Sequence, residues 1–300
     1  MHTFFTQHYQ PLRLTGRSWR TVEQYEVAIS NFSAFLGRPA TLDDLSDHAV
    51  ARLAQWMLDR GRSTATANKT LRHLRALWRF ARKRKLIASK PRFEPLAEYD
   101  RSPRAWTAEE VSRLLDACRQ VEGDIGSVTA RSFWPALVLF VFDTGIRKQA
   151  TLNLSPVDVD LESRSVTIPA ELQKNRREET HGFSSQTAEA IAAMGTDDRE
   201  FLFPWPHDRY RRTTWTWLNR AFRDIVEAAD LDASAGHFQR LRRTRATLGE
   251  MVAPGSATLD LGHSRRSITL KHYIDRRQLG RSPVVDRLPR PGQSPPTPTS

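Results

Sequence analysis

Apolar residues recur at every third or fourth position through most of this 300-residue chain. The α-helix has 3.6 residues per turn, so this spacing gives each helix one apolar face. Such faces are found at 18–36, 45–58, 64–85, 107–118, 133–142, 187–194, 215–229, 240–251 and 268–277. Strand-like alternation is confined to 157–168 and to a return segment at 180–183. The pattern predicts a mainly α-helical fold with one small β-sheet.

A break in the helical pattern predicts two domains. Two prolines lie within 90–95, and a polar stretch follows them. We therefore expect a helical domain over 1–95, a linker over 96–106 and a second domain over 107–281. The remaining residues, 282–300, place six prolines among Ser, Gly and Thr. Such a segment buries too little apolar surface to order itself, so we expect a disordered tail.

The composition narrows the class of protein. The hydrophobic fraction of 39% and the charged fraction of 27% are typical of globular proteins. The single cysteine, Cys118, excludes an internal disulfide framework and fits a reducing cytosol, so we expect a cytoplasmic protein. The longest apolar run, 136–142, is far short of the roughly 20 residues of a membrane span. No membrane partner is expected, and residues 1–10 lack the pattern of a secretory signal.

A net charge of +12 and a pI near 10.5 indicate a polyanionic partner. Arginine supplies most of the excess, and its planar fork suits phosphate. Codon preference in a GC-rich genome is the alternative explanation. One helix ends in a basic cluster that we expect to bind DNA phosphates, although a solvated charged face would look similar. The cluster comprises Arg79, Arg82, Lys83, Arg84 and Lys85.

The second part of the chain carries polar motifs in a fixed order. Thr-Gly-Ile-Arg at 144–147 ends an apolar helix, and Lys174 lies at a predicted hairpin tip. Leu-Arg-Arg-Thr-Arg-Ala-Thr follows at 241–247, then Leu-Gly-His-Ser at 261–264 and Tyr273. The chain has no phosphate-binding glycine loop, dinucleotide fingerprint or His-Glu-x-x-His motif. We therefore expect neither a nucleotide cofactor nor a metal.

This order of motifs resembles the tyrosine recombinase (phage integrase) family over nearly the whole chain. The resemblance implies a helical, SAM-like core-binding domain at about 18–87 and a mixed α+β catalytic domain at about 107–279. It also implies cleavage and rejoining of DNA strands at specific sites through a covalent 3′-phosphotyrosine. The expected partners are double-stranded recombination sites, gripped by the two domains as a clamp. A homotetramer on DNA and accessory DNA-bending proteins are further expectations of this resemblance.

The resemblance assigns a role to each motif residue, and the chemistry agrees with it. Arg147 and Arg242 would bind the phosphate oxygens, because preorganised cations stabilise the charge that builds on phosphorus. Tyr273 would be the nucleophile, and it needs cationic neighbours because its ordinary pKa is near 10. Lys174 would protonate the departing 5′-oxygen as a general acid. His263 would donate a hydrogen bond to the scissile phosphate.

Two positions depart from the family pattern. Gln239 stands where the family commonly has His or Lys, and it can donate a hydrogen bond but cannot carry a proton. Ala150 stands where the family usually has a carboxylate that buttresses the site. A register that pairs His237 with Arg240 is rejected, because the surrounding motif aligns Arg242 instead. In the chosen register we expect His237 to lie outside the site.

Three alternatives to an active recombinase share some of these sequence features. Gln239 and Ala150 would fit a DNA-binding member of the same family that is catalytically impaired. A relaxing topoisomerase would use the same chemistry as a monomer, but the predicted N-terminal core-binding domain favours the recombinase. A nucleic-acid-binding module without catalytic ancestry would not require Arg147, Lys174 and Tyr273 in this order.

Overall fold

A computed structural model describes residues 1–99, 102–195, 199–205, 212–234, 236–262 and 265–279. The chain divides into two compact units, Met1–Asp100 and Arg101–Ser300, and each is described by itself. The predicted tail at 282–300 and His263 lie outside the described residues. The prediction of a mainly helical fold with a small β-sheet is confirmed.

The first unit is entirely helical in its described part. Helices α1, α2, α3, α4 and α5 span His2–Phe4, Gln10–Arg13, Trp19–Leu36, Asp47–Asp59 and Thr64–Lys83, and a π-helical turn, Phe5–Tyr9, joins the first two. Serine hydroxyls cap two of these helices: Ser46 accepts from the Ala49 amide, and Ser63 accepts from the Thr66 amide. The predicted helices agree with α3, α4 and α5 to within about two residues at most ends.

Two features of this unit were not predicted. The N-terminal helical segment is buried through Phe4, Phe5 and Tyr9, and the Tyr9 ring packs against Tyr25 and Phe80. The chain after α5 folds back on the unit rather than leaving it directly. The Asn68 side chain exchanges two hydrogen bonds with the backbone of Leu96, at 2.9 and 2.8 Å. The first residue of the predicted linker is therefore anchored to α5.

The second unit combines helices with two small sheets. Its helices α6 to α13 span Ala108–Arg119, Ala130–Thr144, Lys148–Thr151, Ser185–Ala192, Arg212–Ala228, His237–Val252, Ser256–Asp260 and Arg266–His272. Its strands β1 to β5 span Asp124–Ile125, Val128–Thr129, Val159–Asp160, Ser165–Ile168 and Glu179–Gly182. A capping box of Thr107 and Glu110 starts α6, as the sequence predicts.

The antiparallel sheet β3-β4-β5 contains the predicted hairpin. Ile168 of β4 pairs with Glu179 of β5, so the ten residues 169–178 form the connection that carries Lys174. The prediction of a single strand-like region was incomplete, because β1 and β2 form a second hairpin. Two-residue strands are too short for alternation to reveal them.

Helix α7 is the centre of the second unit. It is apolar around its whole circumference, as expected of a helix surrounded by others. Phe133, Trp134, Leu137 and Phe140 are each 0–1% exposed. Helices α6, α9 and α11 pack against α7. Within the described residues, no helix has both the length and the apolar character needed to cross a membrane.

Candidate active site

Tyr273 lies directly after α13, where the predicted helix would have continued to 277. The helix ends at His272, and Tyr273 adopts φ −126° and ψ −30°. Its half-buried side chain lies close enough to Gln239 and Arg242 for both to influence its pKa. The guanidinium carbon of Arg242 lies 5.3 Å from the centre of the Tyr273 ring. A phenol is therefore held against a cation.

These neighbours change the acidity of Tyr273. Burial is the largest single influence and opposes ionisation. The charge of Arg242, the hydrogen bond from Gln239 and the charge of Arg147 act the other way and together outweigh burial. The net result is a pKa of Tyr273 below its ordinary value of 10.0. The site thus favours the nucleophilic, ionised form of the phenol.

Arg242 is held by backbone carbonyls. It projects from α11, is 4% exposed, and donates to the carbonyls of Gly145 and Leu261, the latter at 2.9 Å. Gly145 adopts the left-handed φ of +64° at the end of α7, and a Cβ there would lie 3.0 Å from Leu261 Cδ2. Burial and the charge of Arg147 lower the pKa of Arg242 to about 10. Arg242 therefore remains a cation at neutral pH.

Arg147 lies beside the same group, at the start of α8. It is half-buried and lines a cavity of about 700 Å³ together with Lys148, Gln239 and Arg242. The Lys148 ammonium donates to Asn219 of α10 at 2.7 Å. Positive side chains dominate this wall, which suits an anionic ligand such as phosphate.

In the chosen register, Gln239 and Arg242 both line this cavity. Arg240, in the rejected register, instead donates to the Asp232 carbonyl at 2.8 Å and lies 5.4 Å from the Trp106 ring. The expectation for His237 needs correction, because this residue lines the same cavity as Gln239. Its Nδ1 is buried and has no hydrogen-bond partner among the described residues. Burial also lowers the pKa of His237, so its imidazole is neutral at pH 7.

Lys174 is not brought into contact with this group. It is exposed on the connection between β4 and β5 and makes no hydrogen bond or ion pair with the other described residues. Its two sequence neighbours are fixed instead, since Gln173 and Asn175 both donate to the Glu179 carboxylate. Ala150 is 1% exposed in the apolar core and contributes no charge. Glu179 was missed by sequence reasoning, because it belongs to none of the motifs.

A set of hydrogen bonds fixes the backbone around Tyr273. Thr247 Oγ1 accepts from the Asp275 amide at 3.0 Å and donates to the Tyr273 carbonyl at 3.4 Å. Asp275 Oδ2 accepts from the Ala105 amide at 3.1 Å, and the Thr244 hydroxyl accepts from the Trp106 amide at 2.9 Å. Helix α11 therefore holds both the residues before α6 and those after Tyr273.

The predicted DNA-binding cluster belongs to the first unit. Its five side chains, at Arg79, Arg82, Lys83, Arg84 and Lys85, are all exposed at the end of α5 and just beyond it. Four of them, all but Arg84, line an open depression of about 520 Å³.

Among the described residues of both units, no three His, Cys, Asp or Glu side chains gather where they could hold a metal ion.

Comparison with known proteins yields matches over both units. The profile of the phage integrase family matches residues 104–279, and that of the phage integrase SAM-like domain matches residues 1–95. The chain is 26% identical to tyrosine recombinase XerA of Thermococcus kodakarensis over 86% of each chain. It is 24% identical to a Pseudomonas aeruginosa protein assigned as tyrosine recombinase XerC, over 51% of this chain. That match spans only 38% of the Pseudomonas protein.

A solved structure shares the fold. The structure of a lambda integrase (75–356) dimer bound to a COC′ core site is 18% identical in sequence and superposes with a TM-score of 0.70. The match covers 92% of this chain and 96% of the integrase chain. The likeness extends over the helical unit as well as the unit that carries Tyr273.

Proposed function

The chain belongs to the phage integrase family of tyrosine recombinases, and we propose that it cleaves and rejoins DNA strands at specific sites with Tyr273 as its nucleophile. One observation supports this proposal: the Arg242 guanidinium carbon lies 5.3 Å from the centre of the Tyr273 ring, and Arg242, Gln239 and Arg147 all lower the pKa of the phenol. Family membership gives the reaction class, and this arrangement supports the proposed residues.

The reaction is a transfer of the phosphoryl group between two oxygens. Tyr273 loses its phenolic proton to solvent, and the ionised Oη attacks the scissile phosphorus. A 3′-phosphotyrosine forms as the 5′-oxygen leaves with the electron pair of its bond. Arg147 and Arg242 bind the non-bridging oxygens and stabilise the charge on the five-coordinate transition state. We propose that Lys174 donates a proton to the departing 5′-oxygen and that His263 donates a hydrogen bond to the phosphate.

Rejoining reverses these steps with a different 5′-hydroxyl. One phosphate ester replaces another at each step, so the reaction requires no nucleotide hydrolysis. A complete exchange between two duplexes cuts four strands, and each cut uses one tyrosine. We therefore propose a homotetramer on two recombination sites, with DNA-bending proteins as accessory partners. The proposed compartment is the cytoplasm, since the single, buried Cys118 requires no oxidising environment.

The DNA contacts proposed for the first unit follow from its charge. The cluster at the end of α5 presents five exposed cations, and the whole chain carries +12. Phosphate contacts of this kind position a protein on duplex DNA without reading its sequence. A catalytically impaired DNA-binding protein is the second candidate, because Gln239 carries no proton and Ala150 supplies no carboxylate.

Trapping of the covalent intermediate tests the proposal. Binding sites are first selected from a pool of random duplexes and then prepared with a nick close to the cut. Cleavage then releases a short fragment that carries the 5′-hydroxyl, and its diffusion away from the complex prevents rejoining. The wild type should accumulate a protein–DNA adduct that resists denaturant, whereas Tyr273→Phe should form none. Tyr99→Phe is the matched control, because Tyr99 is 91% exposed in the first unit. Binding by the wild type without an adduct would favour the impaired protein.

A further inference from the structure

Glu179 links the two side chains that flank Lys174. It is the first residue of β5, and its side chain is 21% exposed. Gln173 Nε2 donates to its Oε2 at 2.6 Å, and Asn175 Nδ2 donates to its Oε1 at 2.8 Å. One carboxylate therefore fixes the turn on both sides of Lys174, while the lysine itself stays exposed. The backbone of Lys174 is held although its ammonium group makes no bond to the described residues.

The same carboxylate packs against the segment that precedes His263. Gly262 adopts a left-handed φ of +60°, and a Cβ built there would lie 2.8 Å from Glu179 Cδ. Only a glycine can approach a carboxylate this closely without displacing it. The neighbouring carbonyl, that of Leu261, accepts a hydrogen bond from Arg242. Glu179 thus contacts the strand connection of Lys174 and the loop that holds Arg242.

The charge of Glu179 also reaches the site. Burial has the largest effect on Arg242 and lowers its pKa, whereas the negative charge of Glu179 is among the influences that raise it. His181 Nε2 lies 3.6 Å from Glu179 Oε2 on the same strand. No carboxylate comes from position 150, where the methyl group of Ala150 is buried. The carboxylate that raises the pKa of Arg242 is instead that of Glu179 in β5.

We propose that Glu179 is a positioning residue for strand cleavage, which holds the Lys174 turn against the Gly262 segment so that the lysine can protonate the departing 5′-oxygen. This inference rests on the function proposed above. A purely structural Glu179 would merely close the hairpin, and its loss would slow every substrate equally. A positioning Glu179 matters only when the leaving group needs a proton, and this difference can be measured.

The test uses a substrate whose leaving group needs no acid. In a 5′-bridging phosphorothiolate, Tyr273 Oη forms the same bond to phosphorus, and the P–S bond breaks to release a 5′-thiolate. A thiol with a pKa near 8.5 leaves without protonation far more readily than an alcohol. The ordinary duplex and the sulfur-substituted duplex are compared with the same nicked site. Adduct formation in a single turnover is the readout.

We expect Glu179→Ala to form the adduct about 10²-fold more slowly than the wild type on ordinary DNA, the size of a general-acid contribution. On the phosphorothiolate its rate should return to within about threefold of the wild type. Lys174→Ala should show the same rescue. Glu178→Ala is the matched control, because Glu178 is an exposed neighbouring carboxylate, and it should behave as wild type on both substrates. Glu179→Gln should show a smaller, equally rescued defect if the alanine variant fails to fold.

Two results would overturn the positioning role. Either Glu179→Ala cleaves ordinary DNA at the wild-type rate, or its defect is the same on both substrates. A failure of the proposed function looks different, because then the wild type forms no adduct with either substrate. Rescue of Lys174→Ala without rescue of Glu179→Ala would leave the lysine as the acid and reject Glu179 as its positioning residue.

Discussion

The guanidinium carbon of Arg242 lies 5.3 Å from the centre of the Tyr273 ring, and its positive charge lowers the pKa of the phenol. The arginine is buried and anchored to two carbonyls, so its charge cannot move away from the phenol. A single side chain therefore serves both the nucleophile and, in the proposed reaction, the phosphate it attacks.

The pKa of Tyr273 should rise when this cation is removed. The native pKa lies below 10.0, so tyrosinate forms at a lower pH than in a free tyrosine. Adduct formation should increase with pH up to that pKa and then level off. Arg242→Gln should move the pKa upward, and Arg147→Gln should move it less. The chain has five tyrosines, and NMR of ¹³C-labelled tyrosine measures the pKa of each. The resonance of Tyr273 is identified by its absence in Tyr273→Phe. An unchanged titration in Arg242→Gln would contradict the electrostatic account.

Gln239 should matter because its side chain helps to lower the pKa of Tyr273. Gln239→Ala removes this polar group, and a loss of about 1 kcal/mol corresponds to a rate roughly fivefold to tenfold lower. Gln239→His should fold normally and hold or raise the rate, since a positioned imidazole can also carry a proton. His237→Ala is the informative comparison, because His237 lines the same cavity without a bond to Tyr273. If His237→Ala abolishes cleavage while Gln239→Ala is silent, the assigned register is wrong.

Gly145→Ala should impair cleavage more than its cost in stability explains. A non-glycine residue in the left-handed region costs about 1–2 kcal/mol, and here the added Cβ also approaches Leu261 Cδ2. Both Gly145 and Leu261 supply carbonyls to Arg242. Gly123→Ala is the control: its φ is +87°, and nothing lies within 4 Å of the added Cβ. Both variants should lose stability in urea unfolding. Under conditions where both are fully folded, only Gly145→Ala should lose adduct formation.

Asp275 should make the second unit sensitive to acid. Burial alone would raise its pKa, but hydrogen bonds from Arg277 and from the Ala105 amide lower it below 3.8. The native state therefore favours the ionised carboxylate, and this stabilisation is full above the ordinary pKa. It is lost as the pH falls through the lower, folded-state pKa. Asp275→Asn should cost about 2 kcal/mol at pH 7 and less at about pH 3, below the ordinary pKa of 3.8, measured by urea unfolding. An equal cost at both pH values would exclude the linkage.

DNA binding should be steeply dependent on salt. The double variant Arg82→Gln with Lys83→Gln should weaken binding to all sequences and reduce the slope of log K against log salt by about 2. Arg52→Gln, an exposed arginine of α4 outside the cluster, should leave that slope nearly unchanged. Titration of a labelled duplex between about 50 and 200 mM salt provides the measurement. A slope unchanged by the double variant would mean that this cluster does not face DNA.

The long amphipathic helices could be predicted from the sequence because each carries its own periodic signal. The N-terminal helical segment could not, since its burial depends on contacts of Tyr9 with Tyr25 and Phe80, which are distant in sequence. The end of α13 was also missed. The apolar pattern continues to 277, whereas the backbone leaves the helix at Tyr273, where the Thr247 hydroxyl holds its carbonyl.

The candidate site could also be predicted only in part from the sequence. Arg147, Gln239, Arg242 and Tyr273 could be aligned by motif, and the fold brings them together. Glu179 could not be found in this way, because its partners are set by the β4–β5 register and by the close approach of Gly262. The position of His237 was missed because the motif alignment that selects Arg242 leaves His237 outside the matched residues, whereas the cavity extends around the start of α11.

Helix α11 joins chemistry to folding in one element. Gln239 and Arg242 lower the pKa of Tyr273. Thr244 and Thr247 of the same helix form hydrogen bonds with the backbone of Trp106 and Tyr273. Any unravelling that frees either end of the unit therefore separates the nucleophile from its cation at the same time. For a recombinase, this coupling means that only a fully folded second unit presents a nucleophile beside its cation.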